Sequence, residues 1–409
     1  MEQSHISFEQ VVSRGCGLDV HQENVVATIR GDNLQEQTRT FSTFTSSLKD
    51  LVAWLEESGI THVAMESTGV YWKPVFNILE PHFELILVNA RHIKYVPGHK
   101  TDRNDSAWIA KLLLSGLLKG SFIPPQYTRE LRELYRYKRK VIGQRSSEYN
   151  RLQNILETAN IKLSSVVSDV FGISGWSMIS AIIDGEQDPM ILANLAKGRL
   201  KIKKQELILA LEGNLNEHHR FMLNLSKAAI LQLNELLCQV DNRIDQYLRK
   251  WEEEVKLLQT IPGVQKQTAT AILAEIGTDM HAFPNQHHLA SWCGLCPGNN
   301  ESAGKKKSER INHGNSSLKT ALVEAAWAAV HTKESYLKRR YYSLSVRRGK
   351  KRALIAIAHK ILIATYFILK NRVPYMEPDN QEWLKKRKQA QINNYLRRLR
   401  ELEALPPSQ

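Results

Sequence analysis

Cysteine is scarce in this chain: four among 409 residues, at Cys16, Cys238, Cys293 and Cys296. That is too few and too scattered for the disulfide framework of a secreted protein, so a reducing compartment is expected. No apolar run reaches the roughly 18 residues that a membrane span needs. The opening stretch MEQSHISFEQ has neither a basic start nor an apolar centre, so no signal peptide is read there. A cytoplasmic protein without a membrane partner is the expectation. The GxxxxGK[ST] loop of nucleotide-binding proteins is missing too. Repeats and low-complexity tracts are absent. Hydrophobic residues at 42% and charged residues at 24% are ordinary, which excludes a mainly disordered or collagen-like chain. The length suffices for two or three domains, each with its own core.

Negative charge is in deficit, and unevenly so. The formal net charge is +14. Residues 301–409 hold 24 Lys and Arg against 9 Asp and Glu, whereas residues 1–300 hold 32 against 33. Inside that neutral part, residues 91–145 form a second basic stretch, 13 against 4. Two basic regions far apart in sequence point to an extended polyanion rather than a small acidic metabolite. A single run such as Lys305-Lys306-Lys307 fits a solvated surface equally well.

The patterning divides the chain into an α/β part and an α part. Residues 15–30 read as a strand, a tight break and a second strand, and residues 38–44 as a third. SSLKDLVAWLEESG is an amphipathic helix with Leu48, Leu51 and Leu55 at helical spacing. Strands at 61–67 and 83–89 alternate with helices at 70–80 and 103–118, which predicts a mixed sheet. From 126 to 160 the pattern turns helical, and a poorly patterned middle comes next. Residues 217–258 form a second long helix, its apolar stripe running from Met222 and Leu225 through Val240 and Ile244 to Leu258. Two such helices suit a helical hairpin or an oligomerising coiled coil. TIPGVQKQTATAILAEIG at 260–277 is a turn, a helix and a second Gly, similar to half of a helix-hairpin-helix, whose turns offer N–H groups to phosphates. Residues 291–317 are loop-rich, 318–332 and 351–371 are apolar helices, and 380–403 is a basic helix.

Four acids stand out by position. Asp19 lies at the end of the first strand, Glu66 ends the strand HVAME, and Asp102 and Asp105 stand three apart at a helix start. Strand ends and the starts of the next helices converge on one edge of an α/β sheet. Four carboxylates gathered there repel each other without a cation. Oxygen-only donors favour Mg²⁺ or Mn²⁺ over zinc, and paired ions of this kind serve phosphodiester chemistry. Each acid also has a structural reading: Asp102 as a helix cap, Asp105 as dipole complement, Asp19 as turn chemistry. His21 either touches such a site or caps a turn. Cys293 and Cys296 make a lone C-x₂-C, read as two buried cysteines rather than zinc ligands.

GLDVH at 17–21, AMESTGVYWKPV at 64–75 and GHKTDRNDSAWIAKLL at 98–113 resemble the DEDD transposases of bacterial insertion sequences, the family numbered one hundred and ten. IPGVQKQTATAILAEIG at 261–277, ASWCGLCPG at 290–298, ESAGKKK at 301–307 and HGNSSLKTALVEAAW at 313–327 are similar to that family's C-terminal domain. The resemblance implies a RuvC-like, RNase H-like first domain at 1–125 and a helical or coiled-coil segment at 126–257. A mostly helical transposase domain at 258–373 and a basic tail at 374–409 complete the chain. The resemblance carries the metal-binding carboxylate set onto Asp19, Glu66, Asp102 and Asp105, with two Mg²⁺ and Mn²⁺ able to substitute. It places a nucleophilic serine at Ser302, although Ala303 separates Ser302 from Gly304 where many members have Ser-Gly. Ser308, Ser316 and Ser317 stay open as alternatives. Lys100, Arg103, Lys305, Lys306, Lys307 and Arg310 are the expected nucleic-acid contacts.

The same resemblance implies a nucleoid-associated bacterial enzyme that exchanges DNA strands through a phosphoserine link. Its partners would be donor DNA, target DNA, a structured guide RNA from the element, and further copies of itself in a dimer or tetramer. A RuvC-like structure-specific nuclease would use the same acids on water, as in Holliday-junction resolution. A nucleic-acid-binding scaffold would need no metal. A sugar-kinase-like ATPase is disfavoured by the lack of phosphate-binding Gly loops.

Overall fold

The alternation in RGCGLDV and NVVATIRG produces two antiparallel strands, β1 (Arg14–Val20) and β2 (Asn24–Gly31). β3 (Leu34–Ser42) joins β2 antiparallel; it starts before the expected residue 38 because its polar, exposed first half carries no hydrophobic signal. After helix α1 (Thr45–Glu57), β4 (His62–Glu66) pairs parallel to β1. After α2 (Trp72–Leu79), β5 (Glu84–Val88) pairs parallel to β4. The sheet is therefore mixed, in the order β3-β2-β1-β4-β5. The structure, a computed structural model, describes residues 11–67, 69–89, 105–296, 300–302, 305–308, 311–377, 389 and 391–400.

Side chains on a strand alternate between the two faces of its sheet. Cys16, Leu18 and Val20 enter the main core with Leu51 and Leu55 of α1 and Val75 and Leu79 of α2. The opposite face carries Gly15, Gly17 and Asp19 of β1. It is covered by α3 (Asp105–Leu114), whose Ile109, Leu112 and Leu113 pack on Ala64 and Val88. β4 lies between two strands and under both helical layers, which is why its centre, Val63 to Met65, is apolar and buried on both faces.

The chain divides into two units, residues 1–123 and 124–409. The second is mostly helical. α4 (Gln126–Thr158) pairs with α9 (Glu217–Leu248), and the partners run in opposite directions. Tyr127 Oη donates to the Tyr247 carbonyl at 2.6 Å, Lys138 pairs with Asp241, and Arg145 donates to Asn234 at 2.8 Å. The expected continuous helix over 217–258 breaks at a 3-10 turn, Arg249–Trp251, before α10 (Glu252–Gln259). In its first half the buried stripe is Leu223, Ser226 and Ile230, whereas Leu225 of the expected stripe is exposed. Apolar residues occur on both sides of that stretch, so spacing alone did not choose the face.

The poorly patterned middle folds into short helices: α5 (Leu163–Val166), α6 (Ile173–Ile183), α7 (Pro189–Asn194) and α8 (Lys204–Leu211). Met178, Ile179, Leu192 and Leu207 pack there on Leu152 and Leu156 of α4 and Leu223 and Ile230 of α9. Helices this short show too few turns for a helical period to be read.

The rest of the unit contains α11 (Lys266–Ile276), α12 (Gln286–Cys293), α13 (Ser316–His331), α14 (Tyr336–Arg348) and α15 (Lys350–Asn371). By length and composition α15 could cross a membrane, an exception to the reading that no run is long enough. Half of that stretch is buried in the unit, packed on α12, α13 and α14 as a core helix is. Gly263, in the turn before α11, has a positive φ of 85°, and an added Cβ would stand 2.3 Å from the Ala325 carbonyl of α13. Glycine there is required by close packing of the turn on α13. Residues 291–317, expected as loop, hold a two-stranded hairpin, β6 (Asn300–Ser302) and β7 (Lys305–Ser308).

Candidate active site

Leu18 of β1 is paired with Met65 of β4, so the next residues along these parallel strands are Asp19 and Glu66. Both share the sheet face that α3 covers, by alternation with Gly17 and Ala64. α3 begins at Asp105. Three of the four expected acids therefore stand at one edge and on one face of the first unit. Asp102 lies outside the described residues, as do Lys100 and Arg103.

The close approach of α3 depends on Gly17. An added Cβ there would stand 2.1 Å from the Ser106 carbonyl and 2.4 Å from the Ala110 nitrogen. The first turn of the helix is further tied to the sheet by a buried hydroxyl pair, Ser106 and Thr28, at 2.7 Å. A lone Gly between Cys16 and Leu18 thus sets the distance from Asp105 to the strand that carries Asp19. Gly17→Ala meets backbone, which has no rotamer to yield. It is expected to cost about 1–3 kcal/mol of stability by overpacking. It is also expected to slow DNA cleavage by up to about 100-fold through misplacement of Asp105. Thermal melting and a nicking assay on the same preparation check both.

Asp19 is a quarter exposed, and its Oδ2 lies 3.1 Å from Nε2 of His21 in the turn after β1. His21 is itself well exposed, with 59% of its side-chain surface accessible. Cys16, behind the sheet, is fully buried, and burial pushes its thiol far above the usual range, so it stays a core residue.

In the second unit Ser302 ends β6, and its backbone is paired with Lys305 at the start of β7; Glu301 is paired with Lys306. Lys307 lies next along β7, whereas Arg310 lies outside the described residues. Ser308 is paired with Asn300, and Ser316 and Ser317 form the first turn of α13. The ends of the segment carrying the hairpin are closely held. Gly294 and Gly314 both have positive φ, 76° and 48°. A Cβ on Gly314 would lie 2.3 Å from the Gly294 nitrogen. Asn315 N–H donates to the Trp292 carbonyl at 3.2 Å. Burial pushes the Cys293 thiol up to about 12.

Glu275 does not stand out in the sequence. It sits in α11 among residues that are all buried, and its side chain has no exposed surface. Arg136 Nε and Nη2 donate to its two carboxylate oxygens, each at 2.8 Å. Arg132 Nε lies 3.2 Å away, and Asn315 Nδ2 donates at 2.7 Å. Burial pushes this carboxyl up, but hydrogen bonds from Arg136 and Asn315 and the charge of Arg132 outweigh it and hold it below the usual carboxylate range. Burial lowers Arg132 to about 10. An acid alone on the apolar helix ILAEIG was the signal that could have marked it.

The acids at this edge of the first unit offer oxygen donors, which suit a hard divalent cation, and His21 adds one ring nitrogen beside Asp19. Among the described residues, no three His, Cys, Asp or Glu side chains gather closely enough to hold a metal by themselves. Asp19, Glu66 and Asp105 thus supply the donor chemistry on one edge without closing a ligand cluster.

Two family models match the chain. One, a transposase model of the DEDD and IS110 type, matches residues 16–161. The other, described as transposase of the IS116/IS110/IS902 family, matches residues 255–343. The chain is 25% identical over 282 residues to the transposase for insertion sequence element IS1111A of Coxiella burnetii, covering 67% of this chain and 68% of that protein. It is 29% identical over 151 residues to the pilin gene-inverting proteins of Moraxella bovis and Moraxella lacunata, covering 35% of this chain and 46% of each. A DNA-cleaving and strand-transferring enzyme is the class that these matches define. Both models describe one family and together span more than half of the sequence: the chain belongs to the IS110 family of insertion-sequence transposases. DEDD transposases use divalent metal ions.

Proposed function

We propose that this transposase is guided by a structured RNA of its own element and exchanges donor and target DNA strands through a phosphoserine link. The observation that carries the reading is the convergence of Asp19, Glu66 and Asp105 on one face and one edge of a mixed sheet. The strand order, an antiparallel three-strand meander continued by two parallel strands, supports an RNase H-like, RuvC-like first domain. We read the remainder as a coiled-coil segment, a transposase domain and a basic tail.

Asp19, Glu66, Asp102 and Asp105 would hold two Mg²⁺, which when bound neutralise charge on the scissile phosphate. The Ser302 hydroxyl attacks phosphorus and loses its proton. The bond to one strand breaks, and that strand's freed oxygen takes up a proton. A hydroxyl from a new strand end then attacks the phosphoserine and releases Ser302. One phosphoester replaces another at each step, so no ATP is consumed. Ser302 and the acids belong to different units, so both must meet at the DNA, within one chain or between copies. Lys100, Arg103, Lys305, Lys306, Lys307 and Arg310 bind phosphates around them. Both basic regions suit RNA as well as DNA.

The test is a trapping assay with protein, RNA from the element's flank and a nicked junction-spanning DNA, resolved on a denaturing gel. A protein–DNA adduct that forms with Mg²⁺ and is lost with a chelator is expected. Hydrolysed ends without adduct would replace the recombinase by a RuvC-like nuclease. Strand exchange without the RNA would remove the guide.

A further inference from the structure

A buried carboxylate persists only where its charge is matched and its oxygens are bonded. Glu275 meets both conditions with groups from two other elements. Arg132 and Arg136 come from α4, Glu275 from α11, and Asn315 is the N-cap of α13. Asn315 spends both ends of its amide. Its Nδ2 donates to Glu275 at 2.7 Å, and its Oδ1 accepts from the Leu318 N–H at 3.0 Å. Through its backbone N–H to the Trp292 carbonyl, Asn315 also holds the far end of the segment that carries β6 and β7. The Gly294–Gly314 crossing stands beside it. The base of the segment that carries β6 and β7 thus has the Glu275–Asn315 pair as its side-chain anchor.

We propose that Glu275, acting through Asn315, is a positioning residue that sets the β6–β7 hairpin and with it Ser302. The proposal rests on the reading of Ser302 as nucleophile. Because Arg132 and Arg136 belong to α4, the same knot ties the hairpin to the long helical pair.

Two variants isolate the anchor from the helix cap. Asn315→Asp keeps the cap acceptor but turns an oxygen toward Glu275. Asn315→Ser keeps a capping hydroxyl and removes the donor without adding charge. The measurements are the adduct rate at saturating DNA, DNA affinity, melting temperature and amide hydrogen exchange across residues 300–308. Either single variant is expected to slow the adduct rate by about 30- to 100-fold. Affinity should stay unchanged and exchange in β6 and β7 should quicken. Unchanged exchange in β6 and β7 in a folded single variant overturns the anchor, whatever the rate. Quickened exchange with an intact rate keeps the anchor and removes Ser302 from the chemistry.

Discussion

Asp19→Asn is expected to leave the melting temperature unchanged and to lower strand cleavage by about 100- to 1000-fold. Asp19 stands at the rim of β1, a quarter exposed, with His21 at 3.1 Å. Removing its charge therefore leaves no buried group unpaired, and the amide oxygen still accepts from His21. Glu66 on the neighbouring strand and Asp105 on α3 stay in place because their positions depend on β4 and on Gly17. What the variant loses is one negative charge at the edge where a divalent cation would balance several. The check is a nicking assay across a range of Mg²⁺ and Mn²⁺ concentrations. Full recovery at higher metal would show that Asp19 contributes affinity and not rate. An unchanged rate at all concentrations would remove Asp19 from the site.

Ser302→Ala is expected to abolish the protein–DNA adduct, a loss of about 1000-fold or more, with DNA binding intact. The backbone of Ser302 lies in a strand pair that alanine can also form, and Lys305 remains its partner. No other change to the second unit is expected, so the loss would report on the hydroxyl alone. An adduct that persists would move the nucleophile to Ser308, Ser316 or Ser317. Ser316 and Ser317 sit in the first turn of α13, which the Asn315 side chain caps. Cleavage that persists without adduct would favour water as nucleophile.

Much of the first unit was legible because its strands obey a period of two and its helices a period of 3.6. GLDVH and HVAMES each carry an acid after apolar residues, and that break in pattern is what marks Asp19 and Glu66. The short helices between α4 and α9 were not legible, since each has too few turns to show a period and buries its apolar side against the others and against α4 and α9. The buried face of α9 was misassigned in its first half for a related reason. Leu223 and Leu225 compete equally in sequence, and only the packing on α4 and the short helices decides between them.

By itself the sequence determined the order of elements in the first unit, the charge balance and which acids and serines are on offer, because these depend on residue type and local spacing. Tertiary structure alone decided which residues meet. Strand register set Asp19 beside Glu66, the missing side chain at Gly17 let α3 bring Asp105 to the same face, and two arginines, 139 and 143 residues from their partner, closed on Glu275. Local propensity contains no term for such distances; they come from the burial of surfaces that the chain brings together only on folding.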